Sequence, residues 1–320
     1  MNILVVRNDK LGDFITALPA IYVLKKYKPD NKIIVLISEL NRAIAQECDF
    51  IDDIIIDKNE TVFELSRLIK NKRIDVSITL FSNNRVAVAQ LLAQISHRIA
   101  PATKLAQFLY TTRVVQRRSQ VKMSEFEYNL DLTKTLFNDI NLDYRQPLLQ
   151  LIDSDEVYNN FSNEFGIDKE IIVFHMGHGG SADANWEIDE YLILIQAIID
   201  KNKFQVVLTF GPDEIDLYQK VKEKVKHTSA ICYQSTQGLI SFAKIIKHCR
   251  LFISASTGTF HLASLIGART LTFFADSLFA SAKRWRGVGD ISFQEHYTIP
   301  TDVIEREKRL LYLVNKLSSL

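Results

Sequence analysis

The chain opens on an apolar run, "NILVV", and then alternates between two hydrophobic periods. In the first half "KIIVLI", "DDIIIDK" and "RIDVSITLF" are short runs rich in β-branched residues, the pattern of buried strands. Between them "FITALPAIYVLKKY", "LNRAIAQEC" and "TVFELSRLIKN" place apolar residues three and four apart, as helices do. This alternation predicts βαβ wiring, hence a parallel sheet covered by helices on both faces. The pattern pauses around "LDYRQPLLQLIDSDEVYNNF", with Pro147 inside an extended segment, so a boundary is expected at about residue 150. It restarts with "EIIVFHMG", "FQVVLTFG", "RLFISAS" and "RTLTFFA", separated by further helical runs such as "EIDLYQKVKEKV". The expected fold is therefore α/β, with two Rossmann-like doubly wound parallel-sheet domains facing a central cleft. The domains are 1–150 and 151–300, followed by a charged amphipathic helix over 301–320. Ligands of such sheets bind at the carboxyl ends of the strands.

Composition narrows the function classes. A chain of 320 residues is long enough for two domains of ordinary size. Lys plus Arg number 39 against 38 for Asp plus Glu, so no overall field favours nucleic acid, which is not an expected partner. Cys48, Cys232 and Cys249 are widely spaced, which fits neither a disulfide framework nor a zinc site and suits a reducing compartment. "MNILVVR" lacks the form of a secretory leader, and no window reaches the ~18 apolar residues of a spanning helix. A cytoplasmic protein, at most peripheral to a membrane, is expected. Charge is nevertheless uneven. From Val76 to Ser124 there is no acid, while Arg85, Arg98, Lys104, Arg113, Arg117, Arg118 and Lys122 give seven cations. With "APATKLAQFLYTTRVVQRRSQ" interleaving apolar residues among them, this stretch reads either as a solvated basic face or as a surface for an anionic lipid or a phosphorylated acceptor.

Candidate chemistry gathers in the loops after strands. No G-x-G-x-x-G and no G-x-x-x-x-G-K-[ST] is present, which sets aside nicotinamide redox chemistry and P-loop hydrolysis. In "SASTGTFHLASLIG" a strand breaks into Ser256, Thr257, Gly258 and Thr259 and reopens as a helix carrying His261. Such a turn is either an ordinary cap or a cradle for a phosphate at the positive end of the helix dipole. "MGHGGSADANW" offers three glycines and Ser181, and Gly211-Pro212-Asp213-Glu214 offers a carboxylate for a ribose, although a first-turn helix acid is the simpler reading of Glu214. His175 and His178 lack a third ligand nearby, so a structural role is the better reading than a metal. Asp153-Ser154-Asp155 matches a cation-holding D-x-D, but a helix cap with first-turn acids explains it better. Asp13 stands at the mouth of the first strand, where a carboxylate needs a partner or a task; capping a helix from Phe14 is the simple one.

Taken in order, these pieces resemble a family. Arg7, Leu11, Gly12, Asp13, Ile15, Leu18, Pro19 and Ala20, then "YNLDL" at Tyr128–Leu132, His175–Gly177, Gly211–Glu214 and "STGTFHLA" at Ser256–Ala263 are similar to the motifs of the lipopolysaccharide heptosyltransferases, glycosyltransferase family nine. The resemblance implies a GT-B fold with an acceptor-binding amino half and a donor-binding carboxyl half. It implies an inverting transferase without metal or cofactor, moving a sugar from a nucleotide donor, by resemblance ADP-heptose, to a lipopolysaccharide-type glycolipid at the cytoplasmic face of the inner membrane. Asp13 would be the general base. Ser181, Glu214, Ser256, Thr257, Gly258, Thr259 and His261 would bind the donor; Asn8, Lys10, Gly12, Arg113, Arg117 and Arg118 would bind the acceptor. Ser256 and Thr259 replace the family's usual acid and proline, and Ala184 stands where a lysine is common. These departures open two alternatives: a different nucleotide sugar, or a catalytically silent binding partner.

Overall fold

A computed structural model describes residues 1–177 and 185–320. They form two compact units, Met1–Leu148 and Leu149–Leu320. The first contains β1 (Asn2–Val6), α1 (Leu11–Tyr27), β2 (Lys32–Ser38), α2 (Arg42–Glu47), β3 (Asp53–Asp57), α3 (Val62–Asn71), β4 (Val76–Thr79), α4 (Asn84–Leu92), β5 (His97–Pro101), β6 (Thr112–Val114) and α5 (Glu125–Lys134). The second contains α6 (Ser154–Phe165), β7 (Ile171–His175), α7 (Ile188–Ile199), β8 (Gln205–Phe210), α8 (Ile215–Val225), β9 (Ile231–Gln234), α9 (Leu239–Ile246), β10 (Leu251–Ala255), α10 (Gly258–Leu265), β11 (Thr270–Ala275), α11 (Ala282–Trp285), β12 (Gln294–Ile299) and α12 (Val303–Ser318).

Each unit is built on a six-stranded sheet, ordered β3-β2-β1-β4-β5-β6 in the first and β12-β11-β10-β7-β8-β9 in the second. Every neighbouring pair runs parallel. Counted from its own first strand, each sheet has the doubly wound order 3-2-1-4-5-6. The central strands are buried on both faces, which is why "ILVV", "IIVLI" and "IIVF" read as unbroken apolar runs rather than alternating ones. The expected α/β architecture, with one doubly wound parallel sheet in each unit, is what forms.

This topology fixes where sites lie. The strand order reverses between β1 and β4 in one sheet and between β7 and β10 in the other, so the crevices open beside the loops that follow those strands. The terminal helix α12 packs on α7, and its Leu313 and Leu317 enter the second core beside Tyr191 and Leu194. In the first unit α5 lies along α1. The side chain of Asn129, fully buried, donates to Thr16 O at 3.0 Å, which gives the "YNLDL" segment its packing role.

Candidate active site

In the first unit the loop after β1 carries the reactive candidates. Helix α1 begins at Leu11, three residues earlier than the pattern suggested, with Lys10 at its N-cap. Asp13 is therefore a first-turn acid and not the cap of a helix from Phe14. Its Oδ1 accepts from Arg7 Nη2 at 2.5 Å. Arg7 itself is 2% exposed and also donates to Asp9 at 2.9 Å and to Glu125 at 3.2 Å. Burial opposes the guanidinium charge, yet Asp9, Asp13 and Glu125 together hold its pKa above the ordinary arginine value. Asn8 leans the other way and donates to Asp57, which also receives Arg85 from α4. Arg85 and Asn8 hold the Asp57 carboxyl below the usual range against its burial. Lys10 is exposed and Gly12 half-buried beside this loop.

The basic stretch is corrected by the structure. It is not one face without acids to pair with. It threads β4, α4, β5 and β6, and several of its cations are engaged: Arg85 with Asp57, Arg98 with the carbonyls of Ile95 and Leu109, and Arg118 with Glu125 at 2.6 Å. The acids are distant in sequence or just past Ser124, so a local count missed them. Among the described residues no acid pairs with Lys104, Arg113, Arg117 or Lys122. Lys104 sits 4.5 Å from the Phe81 ring and Arg113 5.9 Å from the Phe108 ring. Leu105 and Phe108 are 78% and 70% exposed between those two cations. The loop that holds Arg117 and Arg118 is braced by α5: Gln116 donates to Tyr128 O at 2.7 Å, and the Tyr128 hydroxyl accepts from Lys122 N at 3.0 Å.

In the second unit the loops after β7, β8 and β10 hold the donor candidates. Thr257 is at the N-cap of α10 but makes no capping bond with its side chain; its hydroxyl is paired with that of Thr259 at 2.8 Å. An ordinary side-chain cap, the simpler expectation, is not what forms. The leading N–H groups of a helix have no partner within it, and they collect at the positive dipole end. Gly258 opens that first turn and Ser256 is half-buried before it. His261, one turn on, is 3% exposed, and burial pushes it down to about 4, so it presents a neutral ring and not a charge.

Glu214 is at the start of α8, yet its side chain folds back to accept from Gly211 N at 2.7 Å. There it lies 3.9 Å from His175 Nε2. Gly177 permits this approach, since a Cβ at that position would fall 1.7 Å from Glu214 Oε1. The glycine thus brings the loops after β7 and β8 together, a role that sequence spacing could not show. His175 is buried, its Nδ1 is 3.1 Å from Thr209 Oγ1, and burial lowers its pKa. Ser181 and Ala184, with His178, lie outside the described residues. Among the described residues no cluster of three His, Cys, Asp or Glu could hold a metal. The Asp153-Ser154-Asp155 run opens α6, with Asp153 in the left-handed region and without a side-chain cap bond. Ser154 accepts from Lys247 at 3.0 Å and Asp155 lies 3.4 Å from His248, so this run docks α6 beside the end of α9.

Comparison with known proteins identifies the class. The model of glycosyltransferase family 9 (heptosyltransferase) matches residues 62–294. A Haemophilus influenzae protein named as a glycosyltransferase is 34% identical over 300 residues, covering 90% of this chain and 86% of its own length. Lipooligosaccharide heptosyltransferase 2 of Campylobacter jejuni is 20% identical over 286 residues, covering 86% of this chain and 82% of its own. Among solved structures, E. coli ADP-heptose LPS heptosyltransferase II superposes with a TM-score of 0.80 at 18% identity, covering 100% of this chain and 99% of its own. E. coli heptosyltransferase WaaC with ADP gives 0.71 at 15% identity, with both chains fully covered. At these identities the structures speak for the fold alone, which is GT-B, and the class is glycosyltransferase. The chain belongs to glycosyltransferase family 9.

Proposed function

We propose that this protein is an inverting, metal-independent glycosyltransferase. It moves a sugar from an ADP-sugar, ADP-heptose by family analogy, onto a lipopolysaccharide core or related anionic glycolipid. The first unit takes the acceptor and the second the donor. The acceptor oxygen forms the new bond to the anomeric carbon as the old bond to the diphosphate breaks with its electron pair. The acceptor proton passes to Asp13. A sugar hydroxyl is a poor nucleophile, so proton removal and positioning lower the barrier together. The charge growing on the leaving diphosphate is met by the first turn of α10, with Ser256, Thr257, Gly258 and Thr259 around it. His261 supports that turn as a neutral buried ring, and Ser181 and Glu214 remain donor contacts in this reading.

The observation that carries the proposal is Asp13 in the first turn of α1, beside the β1/β4 switch point, paired with a buried arginine. The acceptor is assigned to Asn8, Lys10, Gly12, Arg113 and Arg117, with Arg118 acting through its pair with Glu125. Lys104 and Arg113 around exposed Leu105 and Phe108 suit an anionic bilayer, so peripheral attachment at the cytoplasmic face of the inner membrane is part of the reading. Among the described residues no helix is long and apolar enough to cross a membrane. Ser256 and Ala184, where the family commonly carries an acid and a lysine, favour a second reading in which the nucleotide sugar is a different one.

Asp13→Asn tests the central claim. Turnover should drop by roughly two to four decades while ADP-sugar affinity, read by calorimetry, stays within about twofold. Loss of donor affinity in step with turnover would refute the base. A calorimetric panel of ADP-, UDP-, GDP- and CMP-sugars separates the two donor readings.

A further inference from the structure

The Asp13 carboxylate does not have Arg7 to itself. Arg7 meets Asp9 through Nε at 2.9 Å, Asp13 through Nη2 at 2.5 Å and Glu125 through Nη1 at 3.2 Å. Glu125 Oε1 also accepts from Arg118 Nη1 at 2.6 Å. Arg7 and Arg118 are thus shared among Asp9, Asp13 and Glu125. The remaining side of Arg7 is covered by the Phe81 ring, 5.7 Å from the guanidinium carbon, on which Lys104 also rests. The main chain of Asp9 is fixed by Ser38 Oγ at 3.0 Å and Asn41 Nδ2 at 3.2 Å, so the carboxyl approaches Arg7 from a set position. The nearby Asp57 and Arg85 are paired with each other.

We propose that Arg7 is the positioning residue for Asp13, and that Asp9, by competing for the same guanidinium, sets how strongly Asp13 is held when it must accept a proton. The inference rests on Asp13 being the base. A carboxylate bound to a whole guanidinium charge is a weak base; one that shares the charge with two other acids remains a better one. Burial, with Asp13 adding to it against the pull of Arg7, pushes the Asp9 carboxyl up to about 6. Once Asp9 is protonated, Arg7 falls to Asp13 and Glu125 alone. Transfer should then slow as pH falls through that range.

The test uses the full-length protein labelled with carboxyl-13C aspartate, with Asp9 assigned by loss of its signal in Asp9→Asn. Its carboxyl should titrate near 6, and its midpoint should move down in Asp13→Asn, where the neighbouring charge is removed. A wild-type midpoint near 4, or one unmoved by Asp13→Asn, overturns the coupling. The second measurement is the rate of sugar transfer from the ADP-sugar across that pH range. The wild type should lose roughly tenfold through a step near 6, and Asp9→Asn should run without the step at the lower rate. Arg7→Lys keeps the charge but not the fork, and should lower kcat by about tenfold with the acceptor KM unchanged. An Asp9→Asn enzyme that keeps the wild-type step rejects the role of Asp9 even where Asp13→Asn is inactive. An active Asp13→Asn removes the base and this inference together.

Discussion

At the switch point of the first sheet Arg7 is buried among Asp9, Asp13 and Glu125, whereas beside that of the second the Thr257 turn is followed by a neutral buried imidazole, His261. Both units share one strand order, so topology alone does not set what a rim does. In the first unit, charges satisfy one another and hold a single carboxylate in place. In the second, the hydroxyl at the N-cap pairs with another hydroxyl, and the helix start has no side-chain cap. A rim closed on itself suits acid–base work, where geometry must be fixed beforehand. A rim with uncapped helix N–H groups suits an arriving anion.

The sharpest break in this comparison is Arg7→Met. Removing the cation leaves Asp9 and Asp13 without it in a mostly buried setting, while Glu125 keeps Arg118, and breaking such a set costs about 3–5 kcal/mol. Hydrogen exchange in β1 and α1 should report the loss. Both tryptophans, Trp186 and Trp285, belong to the second unit, so Trp fluorescence should register little of it. A uniform loss in both units would show that they unfold as one.

Next in size are two pH effects of opposite sign. Burial pushes His261 down to about 4 from the ordinary 6.5 of an imidazole, so the unfolded chain binds the extra proton between those values. Its contribution is complete above about 6.5 and is lost as pH falls toward 4, up to about 3 kcal/mol. Asp9 is shifted the other way, to about 6 from 3.8. The folded state then binds the extra proton, and the first unit gains stability as pH falls from about 6 to 4. Trp fluorescence melts should therefore fall on acidification, and less so in His261→Gln, while exchange protection around Asp9 should rise. Movement of both in one direction would contradict the assigned shifts.

A smaller effect is expected at the basic face. Arg113→Gln with Arg117→Gln should weaken binding to vesicles containing anionic lipid by about thirtyfold, at roughly 1 kcal/mol for each cation. Adding Arg118→Gln should act mainly through Glu125 and hence on turnover. Because such attraction is screened over about 8 Å at physiological salt, wild-type binding should fall with added salt. Leu105→Ser with Phe108→Ser should lower the affinity that remains at high salt. Vesicle binding unchanged by either pair would leave this face merely solvated.

Much of this was legible in the sequence. Both sheets follow from runs such as "ILVV" and "IIVF", because strands buried on two faces are apolar at every position. The loops after β1, β7, β8 and β10 were found because a change of period marks a strand's end. The partners within those loops were not legible. Glu125 lies 118 residues from Arg7 and Asp57 lies 49 from Asn8, and no local pattern predicts such pairings. The same distance effect made the stretch from Val76 to Ser124 look unpaired. In the sequence Gly177 is one of three glycines that would let a ligand approach the backbone, and only the fold reveals that the Glu214 carboxyl occupies the space of its missing side chain.

The finest test of the comparison is Thr257→Ala. At a working N-cap, removing a threonine hydroxyl costs typically ~1 kcal/mol, because a helix N–H loses its acceptor. Here the Thr257 hydroxyl is bonded to Thr259 Oγ1 and makes no capping bond, so a stability change within about 0.5 kcal/mol is expected by Trp fluorescence. ADP affinity should nevertheless fall by about threefold to tenfold, since one neutral hydrogen-bond donor to the diphosphate is removed. Thr259→Ala should show the same split, because the two hydroxyls form one pair. In the first unit the corresponding split is not expected, since Arg7 serves stability and position through the same bonds. A full capping loss in Thr257→Ala, with ADP binding unchanged, would mean that the turn closes on itself as the first rim does, and the contrast between the two units would be gone.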